Sequence, residues 1–322
     1  MNTPATPSPM TASSVASSPV GAHAPMTQPQ PADFQGRHIL VTGAASGIGA
    51  AVARQLLAHG ARVSAVDLNA EGLRHLSIAH VSEAQATPGT PGIQPEPHEA
   101  AHTPTARTQA NLPPLAGRLW TAALDVRDAA QVEHVVAQAE AVLGPLDGLA
   151  SVAGVLEMGE VVDLDDAQWA HCFAVNATGV FHVCRAVARR LRARHAGAIV
   201  TVSSNAASTP RAGMAAYAAS KAAVTQFSRC LGLELAPHGI RVNIVSPGST
   251  DTAMQQAMWA LGSSRETVIQ GNASQWRLGI PLGKIATPDE IADAVRFLLS
   301  DQASHITLHD LRVDGGATLD QG

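Results

Sequence analysis

Short apolar runs alternate with stretches of helical periodicity along most of the chain. The first run, HILVTG at residues 38–43, precedes a helical pattern from Gly47 to His59, which leads into the apolar run RVSAVD at residues 62–67. Similar runs recur at residues 120–126, 146–154, 198–204, 241–248 and 311–316, and a long helical pattern extends through Asp165 to Leu191. Such alternation is typical of βαβ units, so the pattern predicts a parallel sheet.

The predicted strands are apolar on both faces, which requires helices on both sides of the sheet. This arrangement is the doubly wound α/β architecture with right-handed crossovers, also called the Rossmann fold. Two proline-rich segments interrupt the pattern, one at residues 1–35 and one at about residues 79–117. Both segments are too poor in apolar residues to offset the entropy of ordering. We therefore expect a single domain at residues 36–322 with a disordered N-terminal tail and a disordered, dispensable insertion.

Composition narrows the class of protein. Of the 322 residues, 46% are apolar and 15% are charged, which suits a globular protein with one large core. The net charge of -5 argues against nucleic acid as a partner, and no apolar run approaches the roughly 20 residues of a membrane span. The first basic residue, Arg37, lies too late for a signal peptide, so we expect a cytoplasmic protein.

Cysteine and histidine spacing predicts neither disulfides nor metal. Three cysteines, at positions 172, 184 and 230, are too few and too scattered for a disulfide framework or a zinc site, and we expect them to be buried. The 14 histidines include no HExxH or comparable cluster, so no metal site is expected.

A glycine-rich turn follows the first predicted strand directly. The segment TGAASGIG places Gly43, Gly47 and Gly49, with Ser46 and Ile48 between them, where the chain turns from strand into helix. Glycine allows positive φ and close backbone approach, and free N–H groups at a helix start attract a pyrophosphate. The turn therefore predicts dinucleotide binding, although a tight turn that binds nothing would have the same pattern.

Acidic residues end the second and third predicted strands. Asp67 closes the second strand, where a carboxylate can accept hydrogen bonds from the adenosine ribose and would repel the 2'-phosphate of NADP. This position favours NAD, and the alternative for Asp67 is a helix N-cap. Asp125 and Val126 close the third strand at the same edge and are candidates for adenine contacts, or simply a strand end with a capping acid.

The candidate catalytic residues lie on one helix and at one strand end. Tyr217 and Lys221 are one turn apart in the helical pattern GMAAYAASKAAV, so both project from the same face. Lysine would lower the pKa of the tyrosine so that the phenolate can take a proton from an alcohol. Ser204 ends a strand and can donate a hydrogen bond to the reacting oxygen. Singly, each residue has an ordinary structural explanation; together with the glycine-rich turn they indicate catalysis.

TGAASGIG, a strand-end serine and YAASK together resemble the short-chain dehydrogenase/reductase family over essentially all of residues 36–322. The resemblance implies that Asn176 is a fourth catalytic residue, which supports a water that relays protons to Lys221; otherwise it is a polar residue that kinks its helix. It also implies a homotetramer. Further cofactor contacts implied by the resemblance are Ala153, Gly154, Pro247, Gly248, Thr250 and Thr252. Ser151 stands where the family usually has an asparagine-containing turn, which puts the usual sheet-linking hydrogen bonds in doubt.

Longer stretches narrow the resemblance to family members that oxidise a dihydroxycyclohexadiene carboxylate to a catechol acid for siderophore synthesis. These stretches cover residues 197–224, 243–255, 277–293 and 304–319. The substrate carboxylate needs a positive partner, for which Arg211 is the leading candidate and Arg277 its competitor. Large apolar side chains that could line a ring pocket are Met214, Met254, Met258, Trp259 and Trp276. Two alternatives remain: another hydroxy or keto substrate, such as a 3-oxoacyl thioester, or a non-catalytic NAD-binding protein.

Overall fold

The computed structural model describes residues 33–77, 117–260 and 264–319. Its strands are β1 (His38–Thr42), β2 (Arg62–Asp67), β3 (Leu119–Ala123), β4 (Gly148–Ser151), β5 (Gly197–Val202), β6 (Ile240–Pro247), β7 (Gly271–Asn272), β8 (Arg277–Leu278) and β9 (Asp310–Val313). Its helices are α1 (Gly47–Ala58), α2 (Ala129–Leu143), α3 (Asp166–Phe173), α4 (Val180–Arg194), α5 (Ala215–Leu235), α6 (Ala253–Ala260), α7 (Arg265–Gln270) and α8 (Pro288–Leu299). Nearly all of the predicted tail and insertion lies outside the described residues.

Seven strands form one parallel sheet in the order β3-β2-β1-β4-β5-β6-β9. The chain winds outward from β1 to β3 and then returns to place β4 on the other side of β1. This reversal opens a crevice beyond the carboxyl ends of β1 and β4, where ligands bind in folds of this kind. The predicted doubly wound parallel sheet is confirmed.

Helices cover both faces of the sheet because strand side chains alternate in direction. Ile39 and Val41 of β1 belong to a core cluster with α1 and α8, whereas Leu40 between them belongs to a second cluster with α2, α4 and α5. All three side chains are fully buried. The strands are thus apolar on both faces, as their sequences require.

The described structure includes the last three residues of the predicted tail. Phe34 has no exposed surface and packs into the core cluster of α1, while its backbone N–H donates to the His59 carbonyl oxygen at 3.1 Å. The Asp33 carboxylate lies 3.5 Å from a guanidinium nitrogen of Arg296. Residues 33–35, which the sequence assigns to the tail, therefore pack on the folded domain, and the rest of the predicted tail lies outside the described residues.

The predicted long helix through Asp165 to Leu191 is interrupted by a π-helical segment. Asp165 and Gln168 form a capping box at the start of α3, and the chain continues through π-helical residues Ala174–Gly179 into α4. Asn176 lies within this π-helical segment, and such bulges are frequent at functional sites. None of the described helices is long and apolar enough to cross a membrane.

A small subdomain follows β6 at the carboxyl edge of the sheet. It contains α6, α7 and the antiparallel pair of β7 and β8. Its own apolar cluster consists of Val268, Ile280, Ile285 and Ala317, with Trp259 packed against it. This segment therefore has a small apolar core of its own.

Candidate active site

The turn between β1 and α1 is built for close backbone approach. Gly43 and Gly47 have φ of +68° and +51°, and a Cβ added at Gly49 would lie 2.0 Å from the Gly43 carbonyl oxygen. Ser46 precedes α1 without a side-chain capping bond, and the first turn carries no acidic residue. The N–H groups at this helix start are therefore left for an anionic ligand.

Asp67, at the end of β2, is hydrogen-bonded to the glycine-rich turn. Its Oδ2 accepts from the Ala45 N–H at 3.0 Å and its Oδ1 accepts from the Asn69 N–H at 2.8 Å. The helix that begins at residue 70 is capped instead by Asn69, whose Oδ1 accepts from two backbone N–H groups. Asp67 is therefore not that helix's N-cap, and its carboxylate faces a cleft beside the glycine-rich turn.

This cleft runs along the carboxyl edge of the sheet from β1 to β3. The sequence-predicted cofactor residues that line it are Gly43, Ser46, Gly47, Ile48, Gly49, Asp67, Asp125, Val126, Ala153, Gly154 and Thr252. Asp125 and Val126 were expected to close β3, but the strand ends at Ala123 and both lie in the loop that follows.

Arg127 is a cleft residue that sequence reasoning missed. Its Nη2 lies 2.6 Å from the Asp125 Oδ2, and its Nε also donates to both carboxylate oxygens. This hydrogen bonding holds the pKa of the Asp125 carboxyl below its usual range. Asp125 therefore faces the cleft as a carboxylate whose charge is offset by Arg127.

A second cavity adjoins the cleft. Ser204, Tyr217 and Lys221 all line it, as do four of the predicted cofactor contacts, Pro247, Gly248, Thr250 and Thr252. The cleft and the cavity share wall residues, namely Ile48, Val152, Gly154, Thr252 and Met254. A ligand in the cleft therefore meets the candidate catalytic residues at the junction.

Lys221 is fixed at the base of this cavity. It is 3% exposed, its Nζ donates to the Val202 carbonyl oxygen at 2.9 Å, and the same nitrogen lies 5.8 Å from the centroid of the Tyr217 ring. Burial lowers the pKa of Lys221 to about 8, because a desolvated ammonium is less stable than a neutral amine. The lysine can therefore lose or gain a proton near the physiological range.

The pKa of Tyr217 contradicts the sequence-based expectation. Burial raises the pKa of the Tyr217 phenol, and the hydrogen bond with Ser204 opposes that shift only in part. The Lys221 ammonium, which donates to the Val202 carbonyl oxygen, does not outweigh the effect of burial. Ser204 is itself 8% exposed, and its Oγ accepts from the Ala206 N–H at 3.1 Å, which orients the hydroxyl.

Asn176 lies behind the wall of the site and is fully buried. Its Oδ1 accepts from the Val155 N–H at 2.8 Å, and its Nδ2 donates to the Val155 carbonyl and to the Ser220 Oγ, both at 2.9 Å. A Cβ added at Gly154 would lie 3.2 Å from the Lys221 Nζ and 3.3 Å from the Asn176 Oδ1. Glycine at this position therefore leaves space between the asparagine and the lysine.

Thr42 accepts hydrogen bonds that join β1 to β4, where the serine at position 151 leaves the family's usual bonds in doubt. The Thr42 Oγ1 accepts from the Val152 N–H at 3.0 Å and from the Ala153 N–H at 3.2 Å. Thr42 pairs with Ser151 in register, and both side chains are buried. These bonds hold the chain at the switch point of the sheet.

Both candidate arginines reach the second cavity. Arg277 donates to the Ser249 Oγ at 3.0 Å, and burial, followed by the charge of Arg211, lowers its pKa. Burial also lowers the pKa of Arg211, which the nearby Asp314 carboxylate opposes. Two partly desolvated guanidinium groups in one cavity favour an anionic ligand.

The large apolar side chains that the sequence predicts for a ring pocket fall into two groups. Met214, Met254 and Met258 line the cavity, whereas Trp276 is 95% exposed and Trp259 packs against the cluster of the subdomain.

The expected burial of the cysteines is found only in part, since residues 172 and 184 are buried and residue 230 is exposed. Within the described ranges, no group of three histidine, cysteine or acidic side chains could hold a metal ion.

The residues of the cleft fit a nicotinamide dinucleotide. The Asp67 carboxylate at the end of β2, the glycine-rich turn with its uncapped N–H groups after β1, and the adjoining cavity with Tyr217 follow one another along the carboxyl edge of the sheet. This order matches the adenosine ribose, the pyrophosphate and the nicotinamide of a dinucleotide.

Comparison with known proteins identifies the family. Residues 37–90 match the family described as short chain dehydrogenase, and residues 98–318 match the one described as enoyl-(acyl carrier protein) reductase. The chain belongs to the short-chain dehydrogenase/reductase family and is an oxidoreductase, as the motifs predicted.

Its relatives carry a more specific name. The chain is 45% identical over 286 residues to the 2,3-dihydro-2,3-dihydroxybenzoate dehydrogenase of Bacillus subtilis (strain 168), with 89% of this chain and 97% of the relative covered. It is 42% identical over 287 residues to the protein of that name from Escherichia coli (strain K12), with 89% and 99% covered. The crystal structure of levodione reductase superposes with a TM-score of 0.73 at 27% identity, covering 88% of this chain and 98% of that one.

Proposed function

We propose that this chain oxidises 2,3-dihydro-2,3-dihydroxybenzoate to 2,3-dihydroxybenzoate, with NAD as hydride acceptor, as a step in catecholate siderophore synthesis. The observation that carries the proposal is the meeting of Arg211, Arg277, Ser204 and Tyr217 in one cavity. A ring acid fits these residues, because its carboxylate can pair with the two arginines and its reactive hydroxyl can bond with Ser204 and Tyr217. The names of relatives that are 42–45% identical support the same substrate.

In this proposal the ionised Tyr217 takes the proton of the C3 hydroxyl, and Ser204 donates a hydrogen bond to the same oxygen. The bound NAD would supply the hydride acceptor for C3. Lys221 holds the nicotinamide ribose and passes the proton toward Asn176 through water. The C3 ketone then tautomerises to the catechol, which makes the oxidation strongly downhill.

The choice of NAD over NADP rests on Asp67. Its carboxylate lines the cleft at the end of β2, where a 2'-phosphate would meet a negative charge. We place the enzyme in the cytoplasm, where NAD is available. We propose the adenine contacts at residues 125–126 and the further cofactor contacts at Pro247, Gly248 and Thr250 as the sequence predicts them.

A homotetramer is the proposed assembly. Phe181 of α4 is 39% exposed and packs edge-on against Phe227 of α5 at 6.0 Å, and Leu233 of α5 is 68% exposed. Exposed apolar side chains on two adjacent helices favour contact with another subunit. Sedimentation equilibrium of the purified protein tests this assembly, and a monomeric mass would contradict it.

The direct test of function is NADH formation at 340 nm from NAD and 2,3-dihydro-2,3-dihydroxybenzoate, with Tyr217→Phe as the matched control. Turnover in the wild type alone, with 2,3-dihydroxybenzoate as product, supports both the substrate and the role of Tyr217. NAD binding without turnover of this diol would reject the substrate and favour another alcohol or a non-catalytic role.

A further inference from the structure

A glutamine in the wall of the substrate cavity carries a buried amide nitrogen without a partner. Gln255 lies in the first turn of α6, is 7% exposed and lines the cavity that contains Tyr217. Its backbone N–H donates to the Thr252 Oγ1 at 3.3 Å, but its side-chain Nε2 has no hydrogen-bond partner. Buried polar groups are almost always paired, so this donor requires an explanation.

Other polar side chains around the cavity are already bonded within the protein. Asn205 donates to the Asp314 carboxylate at 3.2 Å and to the Thr318 hydroxyl at 3.1 Å. Arg277 donates to Ser249, as described above. Among the cavity-lining residues that the structure describes, the Gln255 Nε2 is the buried side-chain donor left unpaired.

The position of Gln255 points to the substrate and not to the cofactor. Thr252 and Met254, its neighbours in the chain, line both the cofactor cleft and the substrate cavity, whereas Gln255 lines the cavity alone. A ligand that pairs with this amide must therefore occupy the part of the site that holds the arginines and Tyr217.

We propose that Gln255 binds the C2 hydroxyl of the substrate and thereby selects ring acids with two neighbouring hydroxyl groups. This inference rests on the proposed function. The substrate has three oxygen-bearing groups in a row: the carboxylate matches the arginines, and the C3 hydroxyl matches Ser204 and Tyr217. The remaining C2 hydroxyl is neutral, and its oxygen can accept the hydrogen bond that a neutral amide donates.

The test compares two acids that differ only at C2. Dissociation constants of 2,3-dihydroxybenzoate and 3-hydroxybenzoate are measured by calorimetry at saturating NAD, in the wild type and in Gln255→Leu. We expect the variant to bind 2,3-dihydroxybenzoate about tenfold more weakly, the usual effect of one hydrogen bond, while 3-hydroxybenzoate changes less than about threefold. The wild-type preference for the dihydroxy acid then collapses.

Gln256→Leu is the matched control, because the neighbouring glutamine is exposed and donates to the Asp251 carboxylate at 3.1 Å. It should leave both dissociation constants unchanged. Gln255→Leu should also raise the thermal midpoint without ligand, because an unpaired buried amide is replaced by an apolar group of similar size. Correct folding of the variant is thereby measured directly.

The possible outcomes distinguish the role of Gln255 from the proposed reaction. An equal loss for both acids in Gln255→Leu, or a change in NAD affinity alone, would overturn the role of Gln255 and leave the proposed reaction standing. Failure of the wild type to form NADH from the diol would overturn the proposed function itself. Failure of the wild type to bind either acid would overturn both.

Discussion

The Lys221 Nζ lies 5.8 Å from the centroid of the Tyr217 ring and is bonded to the Val202 carbonyl oxygen. The lysine is thus anchored to β5 beneath the tyrosine and is not paired with the phenol oxygen. Burial raises the pKa of Tyr217 above its ordinary value. The phenolate that the proposed oxidation needs therefore forms only as the pH becomes alkaline. Lys221, with a pKa of about 8, loses its charge at a lower pH than the one at which Tyr217 ionises.

We therefore expect kcat/KM for oxidation to rise with pH from neutrality into the alkaline range. Ser204→Ala removes the hydrogen bond that lowers the Tyr217 pKa, so its rising limb should shift to higher pH. Its kcat should fall by about 100-fold or more, because a donor to the reacting oxygen is lost. Initial NADH rates from pH 6 to 10.5 measure both effects.

Ser208→Ala is the control for the Ser204 variant, since the Ser208 side chain is exposed and accepts from Arg312 at 2.9 Å. Its pH profile should match that of the wild type. A flat profile in the wild type, or an acidic shift in Ser204→Ala, would be incompatible with Tyr217 as the titrating base.

Asp67→Asn should change the preference between the two cofactors. The substitution keeps the size of the side chain but removes the negative charge that faces the cleft. We expect the ratio of kcat/KM for NADP to that for NAD to rise by about tenfold or more, a gain of roughly 1.4 kcal/mol in relative binding. An unchanged ratio would show that Asp67 does not face the 2'-position.

Gly49→Ala should disrupt the glycine-rich turn. Its Cβ would lie 2.0 Å from the Gly43 carbonyl oxygen, which is backbone and cannot move aside cheaply. We expect a loss of about 1–3 kcal/mol in the free energy of unfolding, typical of overpacking, together with weaker NAD binding. Urea denaturation and a fluorescence titration with NADH measure the two effects.

Gly283→Ala is the matched control for steric crowding. Gly283 has φ of +68° but nothing within 4 Å of an added Cβ, so only the backbone preference, about 1 kcal/mol, is lost. NAD affinity should be unchanged in this variant. Wild-type NAD affinity in Gly49→Ala would contradict the crowding argument.

The sequence predicts those parts of the site that depend on local spacing. Tyr217 and Lys221 share a cavity because one helical turn separates them, and the glycine-rich turn faces the cleft because strand, turn and helix are consecutive. Gln255 and Gln256 are indistinguishable in the sequence, and only the packing of α6 decides which one is buried. Thr42 likewise reads as an ordinary strand residue until β4 is placed beside it.

The direction of the Tyr217 pKa shift also depends on tertiary structure. The i, i+4 spacing predicts proximity to Lys221, but it does not show that the ammonium donates to Val202 or that the phenol is desolvated. The burial of Phe34, a residue outside any predicted element, likewise depends on tertiary packing.

His38 of β1 should make stability depend on pH. It is fully buried, its Nδ1 donates to the Gly144 carbonyl at 2.7 Å, and its Nε2 accepts from the Ser64 hydroxyl at 2.8 Å. Burial is the main cause that lowers its pKa below the ordinary 6.5, so the folded protein holds the neutral ring.

Below pH 6.5 the unfolded chain therefore binds a proton at His38 that the folded protein does not bind, and stability is lost as the pH falls. The loss should reach up to about 1.4 kcal/mol per pH unit until the folded-state pKa is passed. His38→Gln should lower the free energy of unfolding at pH 7.5, because the two buried hydrogen bonds of the imidazole are lost or weakened. The same variant should flatten the dependence of stability on pH between pH 7 and 5. Urea midpoints at half-unit intervals measure the slope, and an identical slope in wild type and variant would rule out His38 as its source.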